Sequence, residues 1–284
     1  MELRYRTVCL SDIHLGTKSC KAEYLVDFLR HLRCDNLYLV GDVIDLWRLK
    51  RSGWYWPSMH NEVVRQLLTL ARNGTRVVYI PGNHDELLRD YAGTRFNEIE
   101  IAARCIHETA DGRRVMILHG DEFDVVVCSN PWLGALGSLS YDTLLGLNHW
   151  INLGRRRLGL PYWSFATRLK SRLRNVNHYI AAFEQTLIQS ARRYQVDGIV
   201  CGHIHHPALR HENGVLYGNC GDWVEHCTAL VEDDNGRWSL LAWVEDSIRL
   251  LTDRQLEPNL IAAVPAVSPQ RLPGTAHHAV AIKR

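Results

Sequence analysis

The chain has 284 residues, 46% of them hydrophobic and 23% charged, with a formal net charge of +2. That length suits one large α/β domain with an insertion, or two small domains, and the composition has enough apolar material for a full core. A disordered chain is excluded, while the near-neutral charge argues neither for nor against an acidic partner.

From the N-terminus, the β-branched and aliphatic run Thr7–Leu10 reads as a buried strand. A helix over Ala22–Arg33 follows, with Leu25, Phe28, Leu29 and Leu32 at helical spacing. Leu37–Val40 is a second strand. A Trp-rich connection, Trp47–Pro57, leads to a helix over Ser58–Arg72, closed by Asn73-Gly74, a pair that tolerates the left-handed conformation. Val77–Ile80 is the third strand. This β-α-β-α-β order predicts parallel pairing with right-handed crossovers, and such sheets bind ligands beyond the carboxyl ends of their strands. Val115–Leu118 opens the second half. The segment Phe123–Asn175 has no strand-like alternation, a helix covers about Asn177–Tyr194, and a strand at Gly198–Cys201 returns to the same edge. Pro207–Arg210, Val215–Asn219, Thr228–Glu232 and Trp238–Trp243 read as short antiparallel strands. The expected organisation is one domain over residues 1–250, interrupted by an insertion over 124–176, with a mobile tail over 251–284.

The eight cysteines form no C-x-x-C pair, and several fall in strands, so they read as thiols in a reducing compartment. Met1–Arg6 is charged and runs straight into a strand without the apolar stretch of a signal peptide, so a cytoplasmic protein is expected. The most apolar stretch, 131–153, is interrupted by Asp142, Asn148 and His149, which argues against a spanning helix.

Five strands each run into a polar motif: Asp12-Ile13-His14, Gly41-Asp42-Val43-Ile44-Asp45, Gly82-Asn83-His84-Asp85, His119-Gly120-Asp121 and Gly202-His203-Ile204-His205. Asp, His and Asn converging on one sheet edge make a site for two cations. A dinuclear hydrolase holds its ions roughly 3.5–4 Å apart and needs one carboxylate shared by both, with further ligands on each side. Asp42, at a strand tip after Gly41, is the expected bridge. Asp12 and His14 can face one ion only if their strand ends there, and Gly16 allows the turn. Asn83 offers a neutral amide oxygen, and His119, His203 and His205 complete the set. The chemistry such a set predicts is hydrolysis of a phosphate ester. Asp45 and Asp121 read as supporting or turn residues, and His60, His107, His149, His206, His211 and His226 as structural.

In this order the motifs D-x-H, G-D-x-x-D, G-N-H-D, H-G-D and G-H-x-H resemble the calcineurin-like metallophosphoesterases, over about residues 7–232. The resemblance implies a four-layer α/β/β/α sandwich. It implies Asp12, His14, Asp42 and His205 on one ion and Asp42, Asn83, His119 and His203 on the other. The metals implied are Mn²⁺, Fe or Zn²⁺, all compatible with mixed His and carboxylate ligation. His84 would stabilise phosphoryl oxygens or protonate the leaving group, with Asp85 orienting it or capping the helix after it.

Thr143–Phe183 contains no Asp or Glu but does contain Arg155, Arg156, Arg157, Arg168, Lys170, Arg172 and Arg174 among Trp, Tyr, Phe and Leu residues. That mixture suits an interfacial segment with rings in the acyl boundary and charges on anionic headgroups, or a helical cap with a solvated basic face. With Trp47 after the second motif and Gly221-Asp222-Trp223 near the end, the arrangement is similar to the UDP-2,3-diacylglucosamine pyrophosphatase branch, in which a helical lid holds acyl chains. That branch implies a nucleotide-lipid substrate, peripheral association with the cytoplasmic face of the inner membrane, and substrate contacts from the basic residues and Trp47. One position departs from it: His84 stands where the branch has Arg. Two alternatives remain open: a soluble phosphodiesterase, or a nuclease, on the same metals, and a non-catalytic scaffold. Nucleic acid is not the expected partner, because the basic residues are interleaved with apolar ones.

Overall fold

The computed structural model describes residues 3–51, 55–124, 155, 174–244 and 247–251. The first third folds as β1 (Leu3–Leu10), α1 (Ala22–His31), β2 (Leu32–Val40), α2 (Leu46–Arg51), α3 (Ser58–Arg72) and β3 (Arg76–Ile80). The three strands pair in parallel, with Leu10 opposite Leu39 and Val40 opposite Ile80, so their carboxyl ends finish nearly level. The first helix is shorter than its spacing predicts. Leu32 and Arg33 leave it to pair with Leu3 and Arg4, because a parallel ladder beginning there bonds more backbone than one further helical turn. Gly74, at φ +98°, takes the left-handed turn after α3.

β4 (Arg95–Phe96), β5 (Ile99–Ile101) and β6 (Cys105–Glu108) were not predicted; each is too short to show a period. β5 extends the first sheet beside β3, and β4 makes a hairpin with it. β11 (Thr228–Glu232), β12 (Trp238–Val244) and β13 (Ser247–Leu251) complete that sheet antiparallel to β1, in the order β13-β12-β11-β1-β2-β3-β5-β4. Leu251, placed in the tail by sequence, belongs to β13, and the rest of the tail lies outside the described residues. The second sheet has the order β6-β7-β8-β10-β9, formed with β7 (Arg114–Ile117), β8 (Gly198–Cys201), β9 (Ala208–Glu212) and β10 (Val215–Asn219). Its central strands β7, β8 and β10 run parallel.

Alternation along the strands builds the four layers. Val8, Leu10, Leu37, Leu39, Val77 and Tyr79 face α1 and α3, while Cys9, Tyr38, Val40, Val78 and Ile80 face the second sheet. On the far side, Met116, Leu118, Ile199 and Cys201 pack on Phe183, Leu187, Ile188 and Ala191 of α4 (Arg174–Arg193). The expected α/β/β/α sandwich is therefore the observed one. A polar staple crosses between the sheets. His107 Nε2 lies 2.7 Å from Glu232 Oε2 and its Nδ1 lies 3.2 Å from the Tyr38 hydroxyl, while Arg6 donates to Glu232 at 3.0 Å.

Candidate metal centre

Past Leu10 the first strand becomes a loop whose amides still bond its neighbour. Asp12 N–H donates to Gly41 O at 3.1 Å, His14 N–H to Asp42 O at 2.8 Å, and Leu15 N–H to Val43 O at 2.9 Å. Ile13 and Leu15 are fully buried, so Asp12 and His14 turn the other way, into the site. The backbone is held in an uncommon state to do so. Among the described residues other than glycine, Asp12, His14, Asp42, His203 and His205 all have φ between +51° and +71°. Left-handed φ at non-glycine positions gathers at functional sites when the surroundings enforce it. The glycines before the ligands clear space: a Cβ on Gly41 would overlap the His119 ring, and one on Gly202 would overlap Ser11 and Asp12.

All seven predicted ligands meet. His14 Nε2 and His205 Nε2 face each other at 3.3 Å. His205 Nε2 lies 3.1 Å from Asp12 Oδ1, and His14 Nε2 lies 3.8 Å from Asp42 Oδ2. On the other side of Asp42, Oδ1 is 3.5 Å from His119 Nε2. Asn83 Oδ1 sits between His119 Nε2 at 3.2 Å and His203 Nδ1 at 3.1 Å. Asp12, His14 and His205 bring ligand atoms within 4.8 Å of one another, as do Asp12, Asp42 and His119. His84 joins the rim, with Nε2 3.9 Å from Asp42 Oδ2. Trp47, in α2 and not in an irregular connection, lays its ring over His84 with centroids 4.6 Å apart.

The supporting carboxylates were only partly foreseen. Asp45 Oδ2 lies 3.1 Å from His14 Nδ1 and 3.0 Å from His84 Nδ1, while its Oδ1 accepts the Arg48 N–H at the start of α2. Asp85 neither orients His84 nor caps the following turn. It is fully buried and accepts the Gly82 and Val43 N–H groups at 2.5 and 2.9 Å and the Tyr79 hydroxyl at 2.5 Å, tying the second and third strand ends together. Two partners were missed. Asp124 Oδ2 lies 2.8 Å from His203 Nε2, and Asp222 Oδ2 lies 3.8 Å from His205 Nδ1 and 2.5 Å from His226 Nδ1. The Gly221-Asp222-Trp223 string was a usable signal for the second; Asp124 had none beyond following His119-Gly120-Asp121. Asp121 is a rim residue that accepts both oxygens' worth of bonding from Arg89 at 2.7 Å. Of the basic insertion, Arg155 is helical and half-buried and Arg174 opens α4, while Arg156, Arg157, Arg168, Lys170 and Arg172 lie outside the described residues.

Electrostatics favour cations here. Burial alone would raise the Asp12 and Asp42 carboxyls, yet His205 with His119 at Asp12, and His119 with His14 and His84 at Asp42, together hold both below the ordinary carboxylate range. Burial disfavours a charged His14, but its bond to Asp45 and the nearby Asp42 and Asp12 push it up to about 9. Asp42 likewise raises His119 to about 10 against burial. The negative field that raises these two imidazoles would equally favour a divalent cation. The donors also fit one: Asp12 Oδ1 is buried and faces His205 Nε2 at 3.1 Å, and the His14 and His119 rings, whose Nε2 atoms point inward, are fixed through Nδ1 by Asp45 and Val40 O.

A two-sheet sandwich with carboxylates, imidazoles and one amide gathered at level strand ends is the arrangement of a metallohydrolase. A model of the calcineurin-like phosphoesterase family matches residues 5–207, and the chain belongs to that family. It is a metal-dependent hydrolase of phosphoric esters or anhydrides. It is 26% identical over 234 residues to the UDP-2,3-diacylglucosamine hydrolase of Photorhabdus laumondii, covering 76% of this chain and 90% of that one. It is 28% identical over 221 residues to the protein of the same name from Blochmanniella pennsylvanica, covering 70% and 79%. Vacuolar Protein Sorting 29 of Cryptosporidium parvum superposes with a TM-score of 0.43 at 13% identity, covering 86% of this chain and 94% of that one.

Proposed function

We propose that the site is a dinuclear centre that hydrolyses the pyrophosphate of a nucleotide-linked lipid, UDP-2,3-diacylglucosamine or a close analogue, at the cytoplasmic surface of the inner membrane. Asp42 carries the dinuclear reading, because its two carboxylate oxygens address different histidines: Oδ2 lies 3.8 Å from His14 and Oδ1 3.5 Å from His119. Asp42 is therefore the assigned bridge, with Asp12, His14 and His205 on one cation and Asn83, His119 and His203 on the other. Two divalent cations, Mn²⁺ foremost with Fe or Zn²⁺ suited to the same donors, would supply Lewis acidity and an activated water. His84, held between Asp45 and the Trp47 ring, points Nε2 toward the same space and is assigned to meet a phosphoryl oxygen or hand a proton to the leaving group. The names of the relatives support the lipid substrate. So does the acid-free, basic and aromatic composition of 143–183, whose Arg155, Arg156, Arg157, Arg168, Lys170, Arg172 and Arg174 are assigned to the second phosphate and anionic headgroups. His84 in place of Arg favours one other reading, a soluble phosphodiesterase on the same centre.

The test is turnover of UDP-2,3-diacylglucosamine against an aryl phosphodiester with Mn²⁺ in ¹⁸O-labelled water, alongside co-sedimentation with anionic vesicles. The lipid reading expects UMP carrying the label, and vesicle binding. Turnover of the aryl diester alone, with no vesicle binding, leaves the soluble phosphodiesterase. Asp42→Ala should empty both cation positions and slow turnover by about a thousandfold or more. Retained turnover would show that the bridge is misassigned.

A further inference from the structure

The site histidines are held by their outward ring nitrogens, but not all by the same one. His14 turns Nδ1 to Asp45 at 3.1 Å and His119 turns Nδ1 to Val40 O at 2.9 Å, so each directs Nε2 inward. His203 is reversed. Its Nδ1 is the inner atom, 3.1 Å from Asn83 Oδ1, and its Nε2 lies 2.8 Å from Asp124 Oδ2. A neutral imidazole has one proton. With that proton on Nε2, donated to Asp124, Nδ1 keeps a lone pair for a cation. With the proton on Nδ1, an N–H would confront the cation and a lone pair would confront a carboxylate. Asp124 is itself oriented: its Oδ1 accepts the Tyr179 hydroxyl at 2.5 Å, and Tyr179 stands on α4, whose Phe183 packs 5.9 Å from the His203 ring. Two elements, the turn after His119 and helix α4, thus converge on one imidazole.

We propose that Asp124, aligned by Tyr179, is a positioning residue that sets the tautomer of His203 and through it the affinity of the cation position built from Asn83, His119 and His203. This rests on the dinuclear reading above. The experiment uses the full chain carrying Asp124→Ala, Asp124→Asn or Tyr179→Phe. Zn²⁺ binding is followed by calorimetry, and ¹⁵N-histidine spectra are recorded on the metal-free protein. The wild type is expected to take two equivalents and to show His203 protonated on Nε2 in its neutral form. Asp124→Ala should weaken one equivalent by about 10- to 100-fold, leave the other in place, and mix the His203 tautomers. Asp124→Asn, which keeps an acceptor oxygen, should recover part of the loss. Tyr179→Phe, which removes a single hydroxyl, should move affinity and tautomer the same way by less, and it serves if the alanine variant fails to fold. Equal weakening of both equivalents, or an unchanged tautomer in Asp124→Ala, overturns the proposal. A wild type that takes only one equivalent overturns the dinuclear reading instead, and the tautomer spectra, recorded without metal, still decide the part played by Asp124.

Discussion

His14 and His119 carry the sharpest pH consequence. Both are raised, to about 9 and about 10, by carboxylates that outweigh their burial. A raised histidine stabilises the fold fully below the unfolded value of about 6.5 and loses that contribution as pH climbs through the folded value. The metal-free protein should therefore melt at progressively lower temperature between about pH 7 and 10, while the cation-loaded protein, whose rings are already neutral, holds its melting temperature. Thermal melts of both forms across that range check this, and a metal-free melt that does not decline is the contrary result. Asp12 and Asp42 run the opposite way: their depressed carboxyls stabilise above about pH 4 and lose that effect on acidification. Cation affinity should rise with pH, since binding must expel protons from the two rings.

At the scale of elements, the short connections at the strand ends are packed too tightly for a methyl group. Gly41 sits at φ +80° with the His119 ring where a Cβ would go. Gly41→Ala should cost about 2 to 5 kcal/mol, combining left-handed strain with overpacking, and should lower cation content. Gly74, at φ +98° with open space around it, provides the contrast. Gly74→Ala should cost only the backbone share, about 1 to 2 kcal/mol, with cation content intact. Denaturant unfolding together with metal analysis separates the two. The same tight geometry explains what sequence could reveal. The gathering of the candidate ligands at one edge was legible because each motif follows a hydrophobic run that ends there. Asp85 was misread because adjacency to His84 suggested a shared task, whereas its buried carboxylate points back under the Gly41–Val43 turn. The grip of Asp124 on His203 spans 79 residues and is set by how α4 docks, which no local pattern encodes. The two- to four-residue strands β4 to β6 fell below any detectable period, yet the ladder still uses them to close both sheets.

For the molecule as a whole, the staple between the sheets is the place to ask how the layers are locked. Glu232 is fully buried against His107 and Arg6, so Glu232→Ala removes the carboxylate that His107 and Arg6 share between the sheets and leaves His107 the Tyr38 and Thr7 hydroxyls. It should cost about 1 to 3 kcal/mol in denaturant unfolding while cation binding in the surviving folded fraction is unchanged. Loss of cation binding in step with stability would instead mean that the layers and the site rise and fall together. The five candidate ligands in left-handed backbone extend the same question across evolutionary time. At about 1 to 2 kcal/mol each, their summed strain approaches the entire net stability of an average domain. What these awkward torsions achieve is to turn the five side chains toward one another. A descendant released from turnover would drift first at these positions, toward glycine, and would become hardier as it fell silent.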